Sequence, residues 1–319
     1  MTSRRWLIRV FFAYFVFAAL VLAWMAWVTH KVKAPDFLIS LRDPMIAVQE
    51  KPFLMHNVSC EVLVFGDSTA LTGVDARVIA ADTGLTACNI AVTWPVISML
   101  DTMPLDDFLA HNPRPKYIVL QFDPLAFYDR SNVELNFGLA GPFATMIRQR
   151  SRLQAAWFIA KNLSLGMNFY WTAFLSSVHP HPDQTAAFHR VYDGRLKDFM
   201  DNGGPLTIQS PTLTRCGNLF QFPSIPPDAK WIASMRTRYQ KSGTVVLIKG
   251  SPVPVCETRF PRLEGELGPV LDENVEALPK EDFVLGGRHM TLKGAQDESH
   301  HLAQHIVARE QASTAPNPK

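Results

Sequence analysis

The sequence lacks a strong net charge and contains little cysteine. Its 31 Lys and Arg residues nearly balance 29 Asp and Glu residues, which leaves a net charge of +2. The basic residues are scattered and no basic run is interleaved with aromatic residues, so we predict no nucleic-acid partner. The four cysteines include no closely spaced pair of the kind that holds zinc. With 19% charged and 47% hydrophobic residues, the chain is too apolar to be intrinsically disordered.

Long hydrophobic runs are also scarce, and the clearest one covers residues 10–28. It has 19 uncharged residues, and about 20 are needed to cross a hydrocarbon core roughly 30 Å thick. Basic residues are somewhat more frequent before the run than after it, which predicts that residues 1–9 are cytoplasmic and that the rest is external. A cleaved signal peptide is the alternative. It fits less well, because the run is long for a signal core and no small-residue cleavage site closes it.

A second uncharged stretch covers residues 162–178 and has 17 residues. Its Asn, Ser, Thr and Gly content favours a buried or interfacial helix over a second membrane span. It belongs to a long aromatic region, residues 130–240, with a mostly helical pattern over residues 142–177. As an insertion between two core strands, this region could form a lid or a polymer-binding wall, or a helical layer that merely covers the sheet.

Short apolar segments alternate with helical patterns over residues 58–309. Strands are predicted at 62–66, 86–91, 117–122, 244–248 and 283–285, and helices at 71–85, 96–110, 231–239 and 291–309. This alternation predicts an α/β domain with a parallel sheet and right-handed crossovers. Residues 29–57 contain three prolines and are expected to form a stalk or a first packed loop. Residues 310–319 are expected to form a disordered tail.

The first predicted strand runs directly into Gly66, Asp67 and Ser68. A serine at that junction lies at the carboxyl end of a strand, where open α/β sheets place their ligands. It also lies at a helix N-terminus, whose free N–H groups can stabilise an oxyanion. Ser68 is therefore a candidate nucleophile. The alternative is an ordinary turn with a helix cap, because Gly, Asp and Ser are common turn residues.

A second motif stands 221 residues after Ser68, where His289 and Met290 precede Gly294 and Ala295 before the last predicted helix. With Gly-Asp-Ser after the first core strand and this His-Met-x-x-x-Gly-Ala segment, the chain resembles the SGNH (GDSL-type) hydrolase family. Within that family it is most similar to membrane-anchored members linked to O-acylation of cell-surface polymers. The resemblance covers roughly residues 61–306, and its specific part is these two motifs.

The resemblance implies a flavodoxin-like three-layer α/β/α sandwich with a parallel sheet. It also implies that Ser68 is the nucleophile and His289 the general base, while Asp67 mainly holds the turn. These roles suit the chemistry, since a serine hydroxyl needs an imidazole within hydrogen-bonding reach and the imidazole needs a third group to fix its tautomer.

The sequence differs from the family's pattern at the residue that would fix the tautomer of the imidazole. The family usually has an aspartate three residues before the histidine, and Gly286 stands there. Either the site is a Ser-His dyad whose imidazole is held by a backbone carbonyl or water, or another acid such as Asp282 reaches it. The oxyanion and substrate-binding residues of the family have no clear counterparts, and Asn89 and Asp123 are the candidates in the matching loops.

If the domain lies outside the membrane, its cysteines can form disulfides, because that compartment is oxidising. Four cysteines allow three pairings. We favour Cys60 with Cys88, which flank the first two predicted strands, and hence Cys216 with Cys256. Four unpaired core cysteines are the alternative.

We assign no functional role to the remaining histidine pairs or to Lys249. The pairs His179 with His181 and His301 with His305 could bind metal by spacing, but no carboxylate or cysteine stands at a ligand-like spacing from them. We therefore predict surface histidines, no metal and no cofactor. Lys249 follows the fourth predicted strand and is expected to be a solvated residue at the rim.

These features predict a single-pass protein of the bacterial inner membrane with its main domain on the periplasmic or extracellular side. The expected activity is that of a serine esterase or O-acyltransferase, with acetyl as the acyl group and a cell-surface glycan as acceptor. A membrane-bound O-acyltransferase is the expected partner. The alternative function is a non-catalytic accessory subunit with the same fold, which binds polymer or assembles with such a transferase.

Overall fold

The computed structural model describes residues 3–31, 45–128, 152–161, 163, 166–167, 170–171, 199–200, 204–208, 210–216, 219, 224–241 and 243–314. The chain forms two compact units. The first consists of Met1–Glu50 and Asn136–His189, and the second of Lys51–Leu135 and Arg190–Lys319.

The first unit contains helix α1, Ser3–Lys31. Within it, Arg5–Trp27 has a mean hydropathy of 2.2 and none of its most apolar window is buried. A helix with apolar side chains exposed all round suits a lipid environment better than water. The prediction of one N-terminal helix that is long and apolar enough to cross a membrane is confirmed, and the helix extends beyond residues 10–28 at both ends. Trp24 packs edge-on against Tyr170 with ring centroids 5.9 Å apart.

Helix α2, Met45–Leu54, lies in the predicted stalk and includes Pro52. In the predicted insertion the structure describes two complete helices, Arg152–Lys161 and, at the end of the insertion, Ala229–Tyr239. The first of them exposes Leu153 and Trp157. Most of the stretch 162–178 lies outside the described residues, as do His179 and His181, so the proposals for a buried, interfacial or spanning helix there stay predictions.

The second unit is built on a parallel sheet of four strands. The strands are β1 Val62–Gly66, β2 Ala87–Asn89, β3 Tyr117–Phe122 and β4 Val245–Gly250, in the spatial order β2-β1-β3-β4. Every residue of β1 and β3 is buried. Near-continuous apolar strands of this kind occur in parallel sheets that are covered on both faces. The predicted α/β class with a parallel sheet is confirmed.

Helices cover both faces of this sheet. The connections contribute Ser68–Gly73, Ala76–Thr83, Trp94–Leu100, Met103–His111, Ala229–Tyr239, Phe260–Leu267 and Leu292–Thr314. Successive side chains of a strand point to opposite faces. Phe122 contacts Trp231 of helix Ala229–Tyr239, with ring centroids 5.3 Å apart. The neighbouring Gln121 points instead toward Gly73, whose Cβ, if present, would lie 3.7 Å from its Nε2.

Some predicted elements differ from the observed ones. The helix predicted at 96–110 is two helices, because Asp101 adopts a φ of +52° and Pro104 stands near the start of the second helix. Residues 283–285 make isolated antiparallel bridges to Met290 and Thr212, so no fifth core strand forms there. The last helix continues to Thr314, and Glu310 within the predicted tail contacts Lys116.

The disulfide pairing is confirmed. Cys60 is joined to Cys88 and Cys216 to Cys256, with Cα–Cα distances of 5.7 and 5.6 Å. Both separations lie in the normal range for disulfides. The first bond ties Cys60, two residues before β1, to Cys88 of β2.

The prediction that Lys249 is a solvated rim residue is wrong. The strand β4 runs two residues beyond its predicted end, so Lys249 lies inside the sheet and its side chain is fully buried. Its ammonium group donates to Glu298 of helix Leu292–Thr314 at 2.6 Å. A charged pair therefore joins the sheet to the last helix.

We predict that Gly66→Ala destabilises the protein strongly. A Cβ at Gly66 would lie 1.7 Å from the carbonyl oxygen of Gln121, so β1 can approach β3 only without a side chain there. Because the obstacle is backbone, we expect a loss of at least about 2 kcal/mol. Thermal unfolding followed by circular dichroism measures it.

Gly265→Ala is the matched control, since nothing lies within 4 Å of the position that a Cβ would take there, and alanine favours a helix. It should melt at or slightly above the wild-type temperature. Equal melting temperatures for Gly66→Ala and the wild type would contradict the close approach of the two strands.

Candidate functional site

Ser68 is the first residue of a short helix, Ser68–Gly73, that begins where β1 ends. The preceding Asp67 caps this helix. Its Oδ1 accepts hydrogen bonds from the Thr69 amide at 2.9 Å and from the Thr69 hydroxyl at 2.7 Å. Because the cap fixes the turn, the partly exposed Ser68 is held at the carboxyl edge of the sheet.

The second oxygen of Asp67 joins this turn to the one after β3. Oδ2 of Asp67 accepts a hydrogen bond from the backbone N–H of Asp123 at 2.8 Å. Burial, with the nearby Asp123 carboxylate, raises the pKa of Asp67 to about 6. All these bonds are structural, which agrees with the predicted role of Asp67 in holding the turn.

His289 reaches the same edge from the other end of the unit. Its Nδ1 lies 3.3 Å from the hydroxyl of Thr72, which itself donates to the Ser68 carbonyl at 3.0 Å. A hydrogen bond between the ring and the Ser68 backbone raises the pKa of His289, so the ring is the donor and the carbonyl the acceptor. The structure therefore brings together the two residues that the motifs single out. Ser68 and His289 both belong to the described part of the chain, and no hydrogen bond joins the Ser68 hydroxyl to the His289 ring.

The electrostatic surroundings keep His289 neutral. Burial is the largest influence and lowers its pKa, Arg288 lowers it further, and Asp123 opposes both. Arg288 and Asp123 are themselves close, with Nη1 and Oδ2 3.7 Å apart. Burial raises the pKa of Asp123, while Arg288 and His289 lower it. A neutral imidazole at pH 7 can accept a proton, as a general base must.

The turn that carries His289 favours glycine at position 286. Gly286 and Gly287 adopt φ values of +101° and +70°. The turn closes with a hydrogen bond from the Val284 amide to the His289 carbonyl at 2.9 Å. An aspartate at Gly286 would be strained in this conformation, because side chains with a Cβ rarely adopt it.

Asp282, the other candidate acid, lies on the far side of this turn. Its carboxylate is buried and pairs with Lys293 at 2.8 Å, and its carbonyl accepts from the Thr291 amide at the same distance. Among the described residues it makes no contact with His289. Among the described residues the groups that hydrogen-bond the imidazole are the Thr72 hydroxyl and the Ser68 backbone, and the choice between a dyad and a triad stays a prediction.

The two candidate oxyanion residues have different surroundings. Asn89 is fully buried, and its amide donates to the carbonyls of Ala70 at 3.0 Å and Val74 at 2.9 Å. Both amide hydrogens are therefore engaged, and neither is left for an oxyanion. Asp123 stays at the site, with its Oδ1 accepting from the Leu125 amide at 2.8 Å.

Sequence reasoning missed Thr72 and a polar cluster beneath the turn. In this cluster the Ser251 hydroxyl bonds the hydroxyl of Thr69 and accepts from Nε2 of Gln121 at 3.3 Å. Two signals were present: Thr72 stands four residues after Ser68, on the same helix face, and Ser251 directly follows β4. Polar residues at the ends of parallel strands share an edge.

No protein-family model, curated protein or solved structure matches this chain. The chemistry of the site must therefore be argued from its own residues.

We predict that two substitutions move the pKa of His289 in opposite directions. Arg288→Gln should raise it, because a repelling positive charge is removed, and Asp123→Asn should lower it, because a stabilising negative charge is removed. A titration of ¹³C-labelled histidine by NMR, assigned with His289→Gln, measures both.

Arg238→Gln serves as the control, since Arg238 pairs with Asp106 and does not contact the site. It should leave the pKa of His289 unchanged. Shifts of the same sign in Arg288→Gln and Asp123→Asn would contradict the arrangement described.

Proposed function

We propose that this chain is a membrane-anchored serine esterase or O-acyltransferase with an SGNH-type three-layer fold. Its substrate would be an acyl ester, most simply an acetyl ester, and its acceptor a hydroxyl of a cell-surface glycan or water. The observation that carries the proposal is the meeting of His289 with the start of the helix that Ser68 opens. Ser68 is the partly exposed serine of this edge, and the neutral imidazole is the base beside it.

The arrangement of the imidazole supports a base at Nε2. With the Thr72 hydroxyl donating to the Ser68 carbonyl, a proton on Nδ1 would let this nitrogen donate both to Thr72 and to the same carbonyl. The lone pair is then on Nε2. In unliganded sites catalytic hydrogen bonds are often long and tighten only with substrate, so a rotation of the Ser68 side chain would complete the pair.

The reaction would proceed in two steps, acylation of Ser68 and transfer of the acyl group to the acceptor. The Ser68 oxygen attacks the ester carbonyl carbon while His289 takes its proton. The ester's alcohol then leaves with that proton, and the acyl group stays on Ser68. In the second step an acceptor hydroxyl or water gives its proton to His289 and attacks the acyl carbon, and the Ser68 oxygen leaves and takes that proton back from His289. The Ser68 N–H is in the first helical turn, where amides lack intrahelical acceptors, and would bind the oxyanion.

Two features support the proposed location of the protein. Helix α1 supplies an anchor in the bacterial inner membrane, and the two disulfides suit a periplasmic or extracellular domain. An anchored acyltransferase would work beside a membrane protein that exports acyl groups, so a membrane-bound O-acyltransferase is the proposed partner.

A non-catalytic accessory subunit that binds polymer is the second candidate. Two observations favour it: no acid contacts His289 among the described residues, and the Asn89 amide is fully engaged. Under this function Ser68 would only begin the helix.

Labelling by a fluorophosphonate probe tests the nucleophile. We predict that the full-length wild type is labelled, that Ser68→Ala is not, and that His289→Gln is labelled at least about 100-fold more slowly, because the base is lost. Ser234→Ala is the matched control, since that hydroxyl bonds only a helix carbonyl, that of Trp231. Undiminished labelling of Ser68→Ala would remove Ser68 as the nucleophile, and an unlabelled wild type would favour the accessory function.

Reporter fusions test the location. Alkaline phosphatase fused after Lys319 should be active in a bacterial host, because the domain is external. Green fluorescent protein fused at the same position and exported through the same pathway should not fluoresce. The opposite pattern would place the domain in the cytoplasm. Deletion of residues 1–31 should abolish phosphatase activity and is the control.

A further inference from the structure

Six ionisable side chains converge between β4 and the last helix, apart from the Ser68 site. The two short strands Val253–Pro254 and Ala277–Leu278 border the loop that supplies two of them. We call the group the Glu273 cluster, and it consists of Lys249, Glu273, Glu276, Glu298, His301 and His305. No member contacts Ser68 or His289 among the described residues.

The cluster has more negative than positive charge. Three carboxylates lie near one ammonium group, that of Lys249, and burial raises the pKa of one of them, Glu298, to about 7. Lys249 is engaged chiefly by Glu298 at 2.6 Å, and it lies 3.8 Å from Glu276 and 4.0 Å from Glu273. Buried carboxylates in excess of the cations that face them require a counter-ion or protons.

Several buried carboxylate oxygens in the cluster also lack hydrogen-bond partners. Neither oxygen of Glu273 accepts a hydrogen bond, although its side chain is only 4% exposed. Oε2 of the fully buried Glu298 is likewise without one. Buried oxygens without a donor are costly, and native structures satisfy most of them with protein, water or an ion. Glu273 thus points to a missing partner.

The geometry of the cluster fits a cation with mixed oxygen and nitrogen ligands. One ligand atom each from Glu273, Glu276 and His305 lie within 4.8 Å of one another. Nδ1 of His305 is 3.4 Å from Oε1 of Glu273. Ligands bound at about 2.0–2.2 Å to one ion lie roughly 3 to 4 Å apart, so small side-chain shifts would complete the site.

We propose that Glu273, Glu276 and His305 bind a divalent cation of the zinc class. The positive charge of the ion opposes the excess of carboxylates, and its bonds to Glu273 satisfy oxygens that accept no hydrogen bond. His301 donates from Nδ1 to Oε2 of Glu276 at 2.9 Å and orients that ligand from outside, as groups behind metal ligands commonly do. The ion fastens the loop between the two short strands to the last helix and takes no part in acyl chemistry.

The absence of metal was predicted from the sequence because no carboxylate stands near His301 or His305 at a ligand-like spacing. The fold supplies those carboxylates from an earlier loop. A second group, His56, Asp107 and His111, also lies within ligand distance, but it is more exposed and its atoms include none that are buried without a partner. It serves as an internal control.

Titration of the metal-stripped full-length protein in detergent tests the proposal. With zinc chloride in a calorimeter we expect one equivalent to bind and the melting temperature to rise. Cobalt chloride should give the visible absorption of a low-coordinate N/O site. Glu273→Gln and His305→Gln should each weaken zinc binding more than about 100-fold, because each removes a ligand.

Two variants are expected to bind as the wild type does. His300→Gln changes a neighbouring histidine on the same helix, which pairs with Asp82. His111→Gln disrupts the second group. If His111→Gln abolishes binding, the ion lies elsewhere and the proposal fails. If the wild type binds neither metal, the cluster is a buried ion-pair network balanced by protonated imidazoles, and the proposal fails whatever the variants do.

Discussion

The carboxylate of Asp67 is the interaction on which the site depends. One of its oxygens caps the helix that Ser68 begins, and the other accepts the Asp123 amide from the turn after β3. Two turns at adjacent strand ends are thereby held in one geometry. Because this carboxylate is buried, losing either bond would leave an oxygen without a donor, which costs more than a surface hydrogen bond contributes. The positions of Ser68 and of the Asp123 charge therefore depend on the same group.

Much of the fold could be predicted because its signals are local. The buried strands β1 and β3 are continuous apolar runs, and the predicted bounds of β3 agree with the observed ones. The disulfides followed from the positions of Cys60 and Cys88 beside neighbouring strands. Ser68 was identified because a strand-turn-helix junction always delivers its turn to one sheet edge. Each of these predictions needs only the hydrophobic periodicity of a segment and the fact that parallel strands all end at the same edge of the sheet.

The remaining features depend on burial and on contacts between distant segments. Lys249 has the sequence context of a rim residue, and only the packing of the last helix over β4 makes it a buried cation. The prediction of a strand at 283–285 failed because the glycine turn pairs Phe283 with Met290 instead of with the sheet. The role of Asn89 could not be read from its loop, since the carbonyls that it binds belong to another helix. Apolar periodicity carries no information on such pairings.

No acid contacts the His289 ring among the described residues, and other groups influence its orientation and its charge. An acid in contact with the imidazole both orients the ring and stabilises its positive charge. Here the Ser68 carbonyl and the Thr72 hydroxyl orient the ring, and both are neutral. Asp123 raises the pKa of His289 through space, against burial and Arg288. An imidazolium held mainly by dipoles is less stable than one paired with a carboxylate, so these surroundings favour the neutral form of His289, and Arg288 and Asp123 shift its pKa in opposite directions.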